Sequence, residues 1–387
     1  MAEFFYDRMI MQFIATNSLS YFLNLKRRIY MFKDEMTPKE RMEAFSKGEE
    51  MDRIPVVPDM GVTMSDFLGY KTWDYYSNSD VIADTEVALF KRFYHDSISV
   101  STTLRGMAEA MGTEIWYPED GISQLKDPVV KKVEDIEKLK IINPLKDGKL
   151  LVLIEALEKI RDQVGDVASI GAAMTGPFSV AASVLGTETL LRWMVKKKDA
   201  VHKIMDIITI NNGEYIKEVG SRGFGMGFAD PVSSTTLIRK KQFEEFSLPY
   251  LKRNIADVKK YCGSSAGLHI CGDSKDLWPL LKDSGIGNFS LDNCESLLEA
   301  KEILGNDVVI TGNVPPVDVM YLGNTEDVKK SVKECIDIGY DSPCGYVLST
   351  GCQIPKGTKM ENIDAFMEYG REFGNYKRLK ELKNETK

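Results

Sequence analysis

The chain holds only three histidines, His95, His202 and His269, in 387 residues, so few positions are open to imidazole chemistry. Its six cysteines (Cys262, Cys271, Cys294, Cys335, Cys344, Cys352) include no Cys-x-x-Cys pair, which excludes a zinc ribbon. So few thiols in so long a chain do not make a secreted disulfide framework, and a reducing cytoplasm is expected. No apolar run approaches the roughly 18–20 residues of a membrane span. The apolar stretch Met9–Ala15 follows Glu3 and Asp7 without any lysine and makes a poor signal peptide. Basic excess is missing too: 50 Lys and Arg against 58 Asp and Glu leave a net charge of −8 and a pI near 5.3. A nucleic-acid footprint is not expected, and Lys196-Lys197-Lys198 reads as a solvated helix face. No repeat, low-complexity tract or Gly/Ser linker divides the chain. The remainder, 43% hydrophobic and 28% charged, is the composition of a soluble globular enzyme.

Two parts are expected. Residues 1–35 read as a helical extension, a packing arm or subunit contact that makes a homodimer plausible. Residues 36–387 read as one domain. Thr37-Pro38-Lys39-Glu40 is a helix start, with Thr37 as N-cap, Pro38 in the first turn and Glu40 three residues on. Beyond it, short apolar or glycine-punctuated runs alternate with helical patterns. Strands are expected at Ile54–Pro58, Ser97–Ser101, Val167–Ala173, Gly223–Ala229, Gly267–Cys271, Phe289–Asp292, Val308–Gly312 and Tyr346–Ser349. Helices are expected at Leu150–Val164, Thr187–Val219, Lys240–Tyr261, Ser274–Ser284, Ser296–Leu304, Thr325–Ile338 and Lys359–Phe373. Such alternation predicts an α/β protein built as a single (β/α)8 TIM barrel, with a doubly wound open sheet as the alternative. Residues 106–144 break the rhythm and read as an insertion near the barrel mouth.

The chemistry concentrates at strand ends. On a strand, residues two apart share a face, so His269 and Cys271 in Gly267-Leu268-His269-Ile270-Cys271-Gly272-Asp273 look into one space. Cys352, ending the run after Gly345, could join them from another strand. One imidazole and two thiols suit Zn2+, and three protein ligands leave a position open for substrate, as in catalytic sites. Cysteine also packs as a small buried hydrophobe, and a lone His-x-Cys has low specificity; the strand-end placement favours the metal reading. Glu295 could reach the metal as a displaceable fourth ligand. Asp230 and Asp292 are candidates to accept the free ring N–H of His269. Asp230, Asp292 and Asn313, each following an apolar run, are expected to bind cofactor, although helix capping explains Asp230 and Asn313 equally well. Gly223-Phe224-Gly225-Met226-Gly227 lacks the phosphate-loop pattern. His95 and His202 carry no partner pattern.

These residues resemble a known family. Asp230-Pro231, Phe243-Glu244-Glu245-Phe246, Pro249-Tyr250-Leu251, Leu268-His269-Ile270-Cys271-Gly272-Asp273, Thr311-Gly312-Asn313-Val314-Pro315-Pro316 and Gly351-Cys352 are similar to the uroporphyrinogen decarboxylase superfamily. Within it the chain looks like the corrinoid-dependent methyltransferase branch, typified by methylcobamide:coenzyme M methyltransferases, from about Thr37 onward. The resemblance implies a (β/α)8 barrel and a zinc site of His269, Cys271 and Cys352, with Glu295 as the acid filling the fourth position. It also implies methyl transfer between a methylcobamide carried by a corrinoid protein and a small-molecule acceptor such as coenzyme M or tetrahydrofolate. A decarboxylase should carry arginines after its first strand, where this chain reads Asp59-Met60-Gly61-Val62-Thr63-Met64. Three other readings remain: loading a corrinoid protein from methanol or a methyl ether, a decarboxylase-like lyase, and a non-catalytic corrinoid-protein scaffold.

Overall fold

A computed structural model describes residues 34–379; the expected N-terminal extension falls, up to residue 33, outside that span. The first described helix, Pro38–Lys47, starts as its sequence dictates. Thr37 Oγ1 accepts from Glu40 N at 3.2 Å, Glu40 Oε2 accepts from Thr37 N at 2.7 Å, and Gly48 closes the helix at φ 68°.

Seven parallel strands form the main sheet in the order β1 (Ser97–Ser101), β4 (Ser169–Thr175), β5 (Gly225–Ala229), β6 (Gly267–His269), β7 (Asn288–Ser290), β8 (Val309–Val314) and β9 (Tyr346–Thr350). A separate antiparallel pair, β2 (Glu114–Trp116) with β3 (Gln124–Asp127), occupies the insertion. Register alone aligns two rows across the sheet. Met174, Phe228, Leu268, Phe289, Ile310 and Tyr346 stand side by side, all at most 4% exposed. Thr175, Ala229, His269, Ser290, Thr311 and Val347 form the next row, on the opposite face. Each buried side chain of the first row contributes roughly 1.5–3 kcal/mol. A one-residue slip would forfeit the set, on the order of 10 kcal/mol, so the register that orients His269 is fixed by packing elsewhere.

Eight strands were expected, and the first, Ile54–Pro58, is reduced to a single bridge from Val56 to Leu348. Pro55 and Pro58 have no N–H to donate, so a ladder cannot extend through them. What pairing remains links the sheet's two ends. Leu348 N donates to Pro55 O and Val57 N to Leu348 O, both at 2.9 Å, while Asp96 N donates to Val56 O at 3.0 Å. Below this segment Asp96, fully buried, accepts from Arg41 Nη1 at 2.5 Å, Arg53 Nη1 at 2.6 Å and Val56 N at 2.6 Å.

Helices alternate with the strands, and three differ from expectation. Thr187–Val219 is broken at Lys197 (φ −146°) into Thr187–Lys196 and Lys198–Gly220. Ser247 and Pro249 divide the next into Lys240–Phe246 and Leu248–Cys262, because a proline can begin a helix but not continue one. Ser274–Ser284 shrinks to a short turn and Trp278–Leu281. Ser79–Phe93 and the wholly buried Pro177–Leu185 add two helices that apolar periodicity did not single out. Among the described residues no helix is long and apolar enough to cross a membrane.

Candidate metal centre

His269 ends β6 in register between Ala229 and Ser290, and Cys271 lies two residues on. Cys352 follows β9 through Gly351. The three expected donors do meet. His269 Nε2 lies 2.9 Å from Cys271 Sγ, the two sulfurs are 3.8 Å apart, and all three ligand atoms fall within 4.8 Å of one another. Among the described residues no other group of histidine, cysteine and acid side chains could hold a metal ion in this way. Each is half-buried, so solvent reaches the cluster.

The arrangement can be tested against a metal. Tetrahedral zinc with Zn–S of about 2.3 Å and Zn–N of about 2.0 Å puts its sulfurs ~3.8 Å apart and its nitrogen ~3.5 Å from each. The sulfur separation matches, and the imidazole need retreat from Cys271 only by roughly half an ångström to fit. The tautomer is also correct. His269 Nδ1 is 3.1 Å from Ser290 O, which can only accept, so Nδ1 carries the proton and Nε2 presents its lone pair. That acceptor is the Ser290 carbonyl, not Asp230 or Asp292 as placement had suggested.

Without metal the two thiols share a charge. Hydrogen bonding from Cys271, opposed by burial and reinforced by His269, pulls the Cys352 thiol down; the same bond, with burial, pushes Cys271 up. Burial disfavours the protonated form of His269, yet Cys352 and Asp59 outweigh it and its pKa is raised. Cys352 is thus the thiol that gives up its proton first, and an incoming metal would still have to displace the proton on Cys271.

Glu295 does not join the cluster. Its Oε1 accepts from Ser274 N at 2.5 Å and Lys275 N at 2.7 Å, and its Oε2 accepts from Ser274 Oγ at 2.7 Å. An acid five residues past a strand end can serve a neighbouring turn as readily as a metal, and here it serves the turn. Asp292 accepts from Gly272 N through Oδ2 and from Cys294 N through Oδ1, both at 2.9 Å. Asn313 donates to Asp292 O at 3.0 Å and Glu295 O at 2.9 Å. Asp230 is fully buried; its Oδ1 accepts from Ser179 N at 2.7 Å at the start of helix Pro177–Leu185. Burial, only partly offset by Ser179, raises its pKa to about 6. Its backbone N–H donates to His269 O at 2.8 Å. All three residues brace the centre from within the protein.

Asp59 was not anticipated, though it follows the first strand-like run as Asp230 follows its own. Its side chain is open to solvent, yet desolvation and the Cys352 charge raise its pKa to about 6. The two agree only if Asp59 faces a water-accessible recess walled by protein. Ile354 N donates to Asp59 O at 2.8 Å, and Gln353 Nε2 donates to Met60 O at 2.5 Å, which ties this segment to the Cys352 loop. Behind it Glu86, raised to about 7 by burial, accepts from Tyr75 OH at 2.6 Å. A separate small recess lined by Tyr75, Tyr76, Thr103, Tyr117 and Lys149 holds none of the three donors. Lys149 and Tyr117 are both bonded to Glu109 there, at 2.7 and 2.8 Å, and no cluster of candidate ligands opens into it.

Comparison with known proteins gives this geometry a context. The family model of uroporphyrinogen decarboxylase (URO-D) matches residues 37–373. A methylated-thiol–coenzyme M methyltransferase of Methanosarcina mazei is 28% identical over 345 residues, 87% of this chain and 90% of that protein. The methylcobamide:CoM methyltransferase MtbA of Methanosarcina acetivorans is 27% identical over 349 residues, 89% of this chain and 99% of that protein. Among solved structures, a methyltransferase from Methanosarcina mazei superposes with a TM-score of 0.79 at 27% identity, over 88% of this chain and 99% of that one. The chain belongs to the uroporphyrinogen decarboxylase family.

Proposed function

We propose that this protein is a zinc-dependent methyltransferase that moves a methyl group between a methylated corrinoid, carried by a partner protein, and a small thiol. The observation that carries the reading is the meeting of His269, Cys271 and Cys352 at one point on two strand ends. Relatives named for methylcobamide and coenzyme M support it. We read the seven strands and the Val56 bridge as a (β/α)8 barrel, with the donors at the C-terminal ends of its strands, where barrel enzymes carry their chemistry.

When bound, zinc would keep an incoming thiol deprotonated at neutral pH while leaving its sulfur nucleophilic. The chain's own residues set the conditions. Two anionic cysteine ligands and a neutral imidazole would temper the metal's charge, and Ser290 O keeps the imidazole in the liganding tautomer. Glu295 is committed to Ser274 and Lys275, so the fourth position is left to the acceptor. The recess holds the thiolate for in-line attack. Its sulfur lone pair forms the S–C bond; the C–Co bond breaks with both electrons on cobalt, which goes from Co(III) to Co(I). The thiol proton leaves to solvent.

Coenzyme M is the acceptor that the relatives' names suggest. The test is loss of methylcobalamin, followed by absorbance, against a panel of thiols and tetrahydrofolate. Rapid consumption with one thiol, abolished by chelation and restored by zinc, is expected. Methylation of cob(I)alamin by methanol or a methyl ether instead would reverse the direction, and inertness toward every acceptor would reject the reading.

A further inference from the structure

We infer that Asn313 is a positioning residue for the metal centre, acting through the loop that follows β7. That loop, together with Ser290 at the end of β7, touches the surroundings of every donor. Ser290 O accepts from His269 Nδ1 at 3.1 Å. Asp292 Oδ2 accepts from Gly272 N, beside Cys271, at 2.9 Å. Asn293 lies so close to Gly351, beside Cys352, that a Cβ on that glycine would stand 2.5 Å from Asn293 N. One short segment thus sets His269, Cys271 and Cys352 relative to one another, although it contributes no ligand itself.

Asn313, 8% exposed, is what fixes the segment. From the end of β8 its amide spends both N–H groups on the carbonyls of Asp292 at 3.0 Å and Glu295 at 2.9 Å. Among the described residues its oxygen receives only the weak contact of Cys335 Sγ at 3.9 Å, so the two carbonyls decide which way the amide faces. Few side chains can do this. The site requires two donors on a short stem, and an aspartate there would set its oxygens against two carbonyl oxygens. Partners outside the ligand shell typically account for about 10–100-fold in metal affinity.

The inference rests on the metal reading above, and the test separates them. Zinc affinity is measured by chelator competition for wild type, Asn313→Asp and Asn313→Ala, with the thiolate-to-metal absorption of the cobalt-substituted proteins as a second readout. The expected result is about 10–100-fold weaker binding and a changed spectrum, with far-ultraviolet circular dichroism retained. Gly351→Ala displaces the same loop from the Cys352 side and should weaken binding likewise, which keeps the inference open to refutation if the Asn313 variants do not fold. Folded variants that bind zinc within about twofold of wild type, with an unchanged spectrum, overturn the positioning role alone. Wild-type protein that binds no zinc overturns both readings.

Discussion

The acid at Glu295 and the thiol at Cys352 are both chemically suited to a metal, and only their surroundings separate them. Cys352 meets another sulfur at 3.8 Å, whereas both oxygens of Glu295 are taken by Ser274 and Lys275. Glu295→Gln should therefore keep full zinc stoichiometry and lose roughly 1–3 kcal/mol of stability, from weakened bonds to the turn. Denaturant titration with metal analysis checks both, and loss of zinc would restore Glu295 as a ligand. The donor set was legible because His269 and Cys271 stand two apart at a strand end and Cys352 closes another apolar run, a set the family resemblance also implied; β6 itself stops at His269, so Cys271 lies just past the strand expected to carry it. Asp59, Ser290 and the bracing role of Asn313 were not legible in this way. Each depends on which strands become neighbours, and a backbone carbonyl such as Ser290 O leaves no mark on residue identity.

Between elements, the joint under the Val56 bridge matters most. Pro55 and Pro58 deprive this segment of donors, and the Asp96 carboxylate supplies what the ladder lacks by binding Val56 N along with two buried guanidinium groups. Asp96→Asn leaves Arg41 and Arg53 without that charge in a dry site, so a loss of about 3–5 kcal/mol is expected. A correspondingly lower midpoint in thermal or urea unfolding checks it; a change below about 1 kcal/mol would mean that water enters there. The alternation of strands and helices was readable from apolar runs and turn residues. The reduction of the first expected strand was not foreseen, although two prolines within five residues argue against a full ladder. Breaks at Lys197 and Ser247 were harder to foresee, because helical periodicity continues across both.

For the whole molecule, acid stability has a contributor outside the donor cluster. His95 is buried beside Asp96 and Phe90, and desolvation lowers its pKa to about 4. Its unfolded value is near 6.5. The folded state therefore holds fewer protons than the unfolded state between these values, so this contribution is complete above about pH 6.5 and is lost as pH falls toward 4. The shift corresponds to roughly 3 kcal/mol. His95→Gln should flatten the stability profile across that window relative to wild type, whatever Asp59, Glu86 and Asp230 add with the opposite sign. Unfolding free energies measured from pH 4 to pH 7 test this, and parallel profiles for the two proteins would contradict it.

The most direct measurement is zinc per chain, by elemental mass spectrometry, in purified wild-type protein and in Cys352→Ala. About one zinc is expected in the wild type, the occupancy of an open three-ligand site. In the variant the expected loss exceeds the roughly 10–100-fold in affinity that changes outside the ligand shell cause, with methyl transfer lost as well. Wild-type protein that stays free of zinc after reconstitution, or a variant that binds it equally well, would contradict the account and leave His269, Cys271 and Cys352 as packing residues.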